Sequence, residues 1–228
     1  MDLINVIDSI LVKDKHTYCD LHIFQTKKTY LCSMNFLALI HLSGTDKNLR
    51  FGNFIADGIR GKEIENYPQE IQAGIQLHRD IDTFTDSHPT FRAHCKLLSP
   101  DHGHYARVIM DVVYDHLLAE NWQQFDPTPL TDFAATFYSE TTSHKAKIPV
   151  KMQRLFHLMQ EQNWLVEYAA VEGLERILYH MSKRTSFPSA FQKAVPIIVE
   201  QKDRLFPEFK SFYTELQAHC KNHLQFIT

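Results

Sequence analysis

The residues best suited to chemistry are His78-Arg79-Asp80-Ile81-Asp82 and Asp111-Val-Val-Tyr-Asp115-His116. Each block falls in a run with helical periodicity. On a helix, residues four apart lie on one face, so His78 pairs with Asp82 and Asp111 with Asp115. Both pairs continue stripes that are otherwise apolar. Ionised carboxylates there are costly to bury unless something neutralises them. A divalent cation would do so, and mixed imidazole and carboxylate donors suit Mn²⁺, Mg²⁺ or Fe²⁺, with Zn²⁺ less exclusively favoured. Such an ion activates water and polarises a phosphoryl oxygen. The competing reading is structural, with Asp111 and Asp115 neutralised by Arg79 or Arg107. Asp57, just before Gly58, is a third carboxylate; alone it reads as a helix end. His41, on an apolar helix, reads alone as a satisfied core histidine, and Asp86 and His88 as caps of the next helix. No glycine-rich phosphate loop, G-x-S-x-G elbow or evident cysteine nucleophile is present.

These groups need helices to hold them. From Met34 on, the hydrophobic spacing is helical nearly throughout. Helices are expected over 34–42, 51–60, 68–86, 90–98, 105–122, 130–143, 150–162, 165–183, 189–200 and 205–224, with polar turns at 43–48 and 99–103. The 105–122 helix is apolar nearly all round, so it should be the central one. Pro68 and Glu70 mark the start of the long helix carrying His78. Gly52 and Gly58 permit close backbone approach around Asp57. The expected fold is an all-α, single-domain, multi-helix bundle over residues 34–228. Residues 1–33 read instead as short β-prone or irregular pieces, an extension upstream of a natural start at Met34.

Composition narrows the function classes. A net charge of −3 and a pI near 6.5 argue against a general nucleic-acid binder. The four cysteines have no CxxC spacing, which points to a reduced, cytoplasmic chain rather than a disulfide scaffold. No apolar run reaches the roughly 18 residues of a membrane span.

The blocks Met34-Asn-Phe-Leu-Ala-Leu-Ile-His41, Gly52-Asn-Phe-Ile-Ala-Asp57, Gly74-Ile-Gln-Leu-His78-Arg79-Asp-Ile-Asp82-x-Phe-Thr-Asp86-x-His-Pro89 and Asp111-x-x-x-Asp115-His116 together resemble the acyl carrier protein phosphodiesterase family. The order and intervals match from Met34 to about Cys220. The resemblance implies an HD-phosphohydrolase-like helical fold. It implies hydrolysis of the phosphodiester that joins 4′-phosphopantetheine to a serine of holo acyl carrier protein, with Mn²⁺ or Mg²⁺ required. It places metal ligation on Asp57, His78, Asp82, Asp111, Asp115 and His116. Arg79 becomes the phosphate contact, with Asp115 or His116 handling the proton. Asp80 receives no role. Leu39-Ile40 stands where relatives carry another histidine, so His41 gains little.

The implied partner is a small acidic protein, so the mouth of the site should be basic. Arg50, Arg60, Lys62, Arg92, Lys96 and Arg107 fall in or beside the signature blocks. Two other readings compete: a phosphohydrolase acting on a nucleotide or small phosphodiester, and a helical binding module without turnover.

Overall fold

A computed structural model describes residues 36–183 and 190–225. The sequence-based extension over residues 1–33 lies outside them. All of the described residues belong to one unit, and among them every regular element is helical.

The element that positions everything else is α5 (Ala106–Glu120), in which every residue from Ile109 to Ala119 is buried. It packs against α1 (Phe36–Leu42), α4 (Pro89–His102), α9 (Val171–Ser182) and α10 (Ala194–Gln225), and the other described helices are α2 (Lys47–Ile55), α3 (Gln69–Ser87), α6 (Leu130–Ser143), α7 (Val150–Glu161) and the short α8 (Trp164–Glu167). A helix apolar on all sides can be stable only when covered on all sides. The covering includes Phe91 and Phe209, both at most 1 % exposed, whose rings lie 5.5 and 4.9 Å from that of Tyr114.

Local chemistry sets the helix ends. The Asp46 carboxylate accepts from the amides of Asn48 and Leu49 and so caps α2, which therefore starts earlier than the polar spacing of 43–48 suggests. Pro68 precedes the first residue of α3. The His88 ring accepts from Thr90 N–H, capping α4 as expected. Gly103 closes α4 with φ +53°, a conformation that favours glycine.

Three expectations are corrected. Residues 99–102 are helical, because Pro100 sits in the last turn of α4, where only one ladder bond is lost. The expected 165–183 helix is broken into α8 and α9. The chain folds back so tightly there that a Cβ on Gly173 would meet the carbonyl oxygen of Glu167 at 1.9 Å. The expected 189–200 and 205–224 helices are one, α10, running through Pro207. Buried Leu205, Phe209 and Phe212 hold the stretch around that proline.

The crossing of α2 and α3 matters most for function. A Cβ on Gly52 would lie 2.1 Å from the Ile71 carbonyl oxygen, and one on Gly74 would lie 2.3 Å from that of Leu49. Both neighbours are backbone and cannot rotate away. Gly74→Ala should therefore force the helices apart, costing about 3 kcal/mol, the upper end of overpacking. A thermal melt followed by circular dichroism checks this; an unchanged melting temperature would show the crossing to be looser than described.

Cys95 and Cys220 are buried free thiols. Among the described residues no helix is long and apolar enough to cross a membrane.

Candidate active site

Because α2 and α3 touch through glycines, the fully buried Asn53 reaches His78. The Asn53 amide nitrogen donates to the Leu39 carbonyl and the Ser43 hydroxyl, each at 2.9 Å. That leaves its side-chain oxygen and its backbone carbonyl both facing His78 Nδ1, at 3.1 and 3.0 Å. Two acceptors fix the tautomer: Nδ1 carries the hydrogen and donates, so Nε2 of the neutral ring is a bare lone pair.

That lone pair faces carboxylates. Asp57 Oδ1 is 3.2 Å and Asp82 Oδ2 3.4 Å from His78 Nε2. Asp57 sits in the 3₁₀ turn Ala56–Gly58 that directly follows α2, and Asp82 one turn beyond His78 on α3. Neither contact satisfies hydrogen-bond geometry. His78 Nε2 and Asp57 Oδ2 are both buried without a partner. Lone pairs crowded together in this way require a cation between them. In the protein alone a proton serves: burial opposes the charged ring, but the Asp57 and Asp82 carboxylates overcome it and hold the imidazolium up to about 10.

Asp111 supplies a further carboxylate from α5. It has no hydrogen bond among the described residues. Burial pushes its carboxyl well above the usual range, and the charges of Asp82, Asp86 and Asp115 add to the shift, with Arg107 opposing.

The donor chemistry fits a hard divalent ion. Neighbouring ligands of an octahedral ion with bonds near 2.1 Å lie about 3 Å apart, close to the spacings around His78 Nε2. An imidazole whose second nitrogen donates to a carbonyl is the usual ligand arrangement. Among the described residues, however, no three of His, Cys, Asp and Glu already surround one point. Asp57 and Asp82 nonetheless both lie within 3.4 Å of His78 Nε2.

Two expected members stand elsewhere. Both oxygens of fully buried Asp115 are committed to the start of α1, accepting from the amides of Leu37 at 3.0 Å and Ala38 at 2.9 Å. Burial raises the Asp115 carboxyl while these amides draw it back. The His116 ring lies 2.8 Å from the Tyr168 carbonyl and beside the charges of Glu120 and Lys202. The physical reason is the burial of α5 on every side. Asp115 is one turn from Asp111, about 6 Å along the axis, and His116 about 100° further round, so each meets a different neighbour.

The remaining assignments divide similarly. Arg79 is half-buried beside His78, and its side chain has no ion pair or hydrogen bond among the described residues. Asp80 binds His219 at 2.6 Å. Asp86 pairs with Arg107. His41 is occupied by the Tyr213 hydroxyl at 2.7 Å, the satisfied core histidine that its position suggested. Arg50 is buried and paired with Glu140, so it adds nothing to a basic mouth. Asn53, which faces His78 Nδ1 with two oxygens, was not among the residues singled out from the sequence. Its signal was the four-residue interval to Asp57 within Gly52-Asn-Phe-Ile-Ala-Asp57, which places it one turn from a carboxylate.

Residues 34–216 match the family model described as acyl carrier protein phosphodiesterase, and the chain belongs to that family. Among its relatives is an acyl carrier protein phosphodiesterase of Serratia proteamaculans, 30 % identical over 190 residues, which are 83 % of this chain and 98 % of the relative. Those of Yersinia pestis, 30 % identical with the same shares covered, and Photorhabdus laumondii, 31 % identical over 83 % of this chain and 96 % of the relative, are similar. No solved structure matches the chain.

Proposed function

We propose that this protein hydrolyses the phosphodiester linking 4′-phosphopantetheine to a serine of holo acyl carrier protein, giving apo carrier protein and free phosphopantetheine in the cytoplasm. Membership of the family and the names of its relatives support the substrate class. The observation that carries the chemistry is the orphaned, buried pair His78 Nε2 and Asp57 Oδ2, which calls for a cation where a phosphodiester would be cut.

Asp57, His78 and Asp82 would hold Mn²⁺ or Mg²⁺, with Asp111 the fourth protein donor. Bound there, the ion supplies an activated water and Lewis-acid stabilisation of the phosphoryl oxygen. The chain does the rest. The Asn53 carbonyl keeps His78 Nδ1 protonated, so that Nε2 stays a donor to the ion. Arg79, with its guanidinium uncommitted, makes charge-assisted hydrogen bonds to the phosphate. Asp115 and His116 orient α5 through the start of α1 and the turn after α8, and act as positioning residues rather than ligands.

The test is incubation of holo carrier protein with the enzyme and Mn²⁺, followed by mass spectrometry of the carrier. Loss of the phosphopantetheine mass, abolished by chelation, is the expected result. An unchanged carrier alongside active cleavage of nucleotides or small phosphodiesters would replace the proposal with the broader phosphohydrolase reading.

A further inference from the structure

One stretch of the surface beside the candidate site is strongly one-sided in charge. From Thr141 to Gln160 the chain holds no aspartate or glutamate, yet it carries Lys145, Lys147, Lys151 and Arg154. All four are exposed, and none has an ion pair among the described residues. Three surface cations elsewhere among the described residues are held by acids: Arg107 by Asp86, Arg176 by Glu167 and Lys202 by Glu120. The contrast shows that these four are not spent on intramolecular pairing.

The same stretch carries an exposed apolar residue. Val150 is 84 % exposed, against 42 % for Tyr179 and 49 % for Val199. The inner row of the stretch explains why it stays in place. Ile148, Met152 and Phe156 are buried at 3–4 % exposure and anchor the turn before α7 and its first two turns. Val150, Lys151 and Arg154 then face outward at helical spacing. A run of exposed, unpaired cations with no intervening acid complements the surface of an acidic protein.

Its position links it to the site. A Cβ on Gly58, the residue after Asp57, would meet Met152 Sδ and Pro149 Cγ, each at 2.7 Å. The Tyr67 hydroxyl donates to the Lys147 carbonyl at 3.1 Å. The ridge is therefore packed directly against the turn that delivers Asp57.

We infer that the ridge formed by Lys145, Lys147, Val150, Lys151 and Arg154 is the surface on which the acidic carrier protein docks to bring its phosphodiester to Asp57 and His78. The inference rests on the proposed function and adds where the partner sits. Docking there contributes to binding and association rate, because exposed charges act through long-range attraction that salt screens.

The experiment compares the parent with the triple variant K147E/K151E/R154E on two substrates, holo carrier protein and bis(4-nitrophenyl) phosphate, both with Mn²⁺. Circular dichroism and the melting temperature establish that the variant is folded; all three side chains are exposed, so the fold should be kept. The expected result is a KM for carrier protein raised at least about tenfold, with activity on the small diester within about twofold of the parent. The parent's KM for carrier should also climb with ionic strength more steeply than the variant's. A carrier KM within twofold of the parent overturns the inference while leaving the proposed function intact. An equal loss on both substrates also overturns it, since the ridge would then act on the site rather than on the partner. A parent that cleaves the small diester but not holo carrier overturns the proposed function, and this inference with it.

Discussion

Asp111→Asn should lower turnover of holo carrier protein about a thousandfold while leaving the metal-free protein at least as stable as the parent. The two halves of this result have one cause. Asp111 is buried, has no hydrogen bond among the described residues, and faces the like charges of Asp82 and Asp86. A carboxylate so placed raises the free energy of the folded protein, and a neutral amide of the same size removes that cost. The same carboxylate is the α5 donor to the proposed ion, and an amide is a poorer ligand for a hard cation. A thousandfold loss corresponds to about 4 kcal/mol of transition-state stabilisation, at about 1.4 kcal/mol per tenfold. The measurements are kcat/KM with Mn²⁺ and melting temperature in chelator. A second reading separates ligation from general damage. Mn²⁺ at about 100 times its dissociation constant should stabilise the parent by about 2.7 kcal/mol, and the variant by much less. Turnover within tenfold of the parent would remove Asp111 from the site.

Asp115→Ala should have the opposite profile, a large loss of stability with activity per folded molecule held within about tenfold. The Asp115 oxygens accept from two amides at the buried start of α1. Leu37 and Ala38, which carry those amides, are 0 and 4 % exposed, so water cannot easily replace the carboxylate. An unsatisfied buried N–H costs about 1–3 kcal/mol, and two of them about 2–6 kcal/mol together. For a chain of this size that lowers the melting temperature by about 5–20 °C. Asp115→Asn, which keeps one acceptor oxygen, should fall between parent and alanine variant. The sinking result is the reverse one: an alanine variant that melts with the parent yet has lost its turnover, which would make Asp115 a ligand or proton carrier after all. The two variants probe carboxylates one helical turn apart, so together they test whether function and scaffolding divide along the same line as the geometry.

The all-α class, the central position of α5 and the shared face of His78 and Asp82 were legible from residue types and spacing, while Asp57 joined them only through the family resemblance. The three legible features each follow from a local rule. Periodicity of 3.6 reports which side of a helix is covered, and a helix apolar all round can only be central. Four-residue intervals put His78 and Asp82 on one face whatever the rest of the chain does, and Gly52 permits close backbone approach, although only the packed structure shows that Gly74 is what it meets.

Other features depended on neighbours that no interval encodes. Asp111 and Asp115 have the same spacing relation as His78 and Asp82, yet they face different partners, because a helix enclosed on every side meets a new surface at each turn. Only the packed structure shows α1 starting against Asp115, the Tyr168 carbonyl beside His116, and Arg50 folded back onto Glu140. The role of Asn53 belongs here too, since it exists only once α2 and α3 cross. The merging of the last two expected helices through Pro207 has the same origin. A proline weakens a helix locally, but contacts made by Leu205, Phe209 and Phe212 with distant parts of the chain outweigh that cost. The sequence thus determined which residues are able to act and which faces they occupy; tertiary packing decided which of them meet, because burial and hydrogen bonding are properties of the assembled neighbours rather than of any one helix.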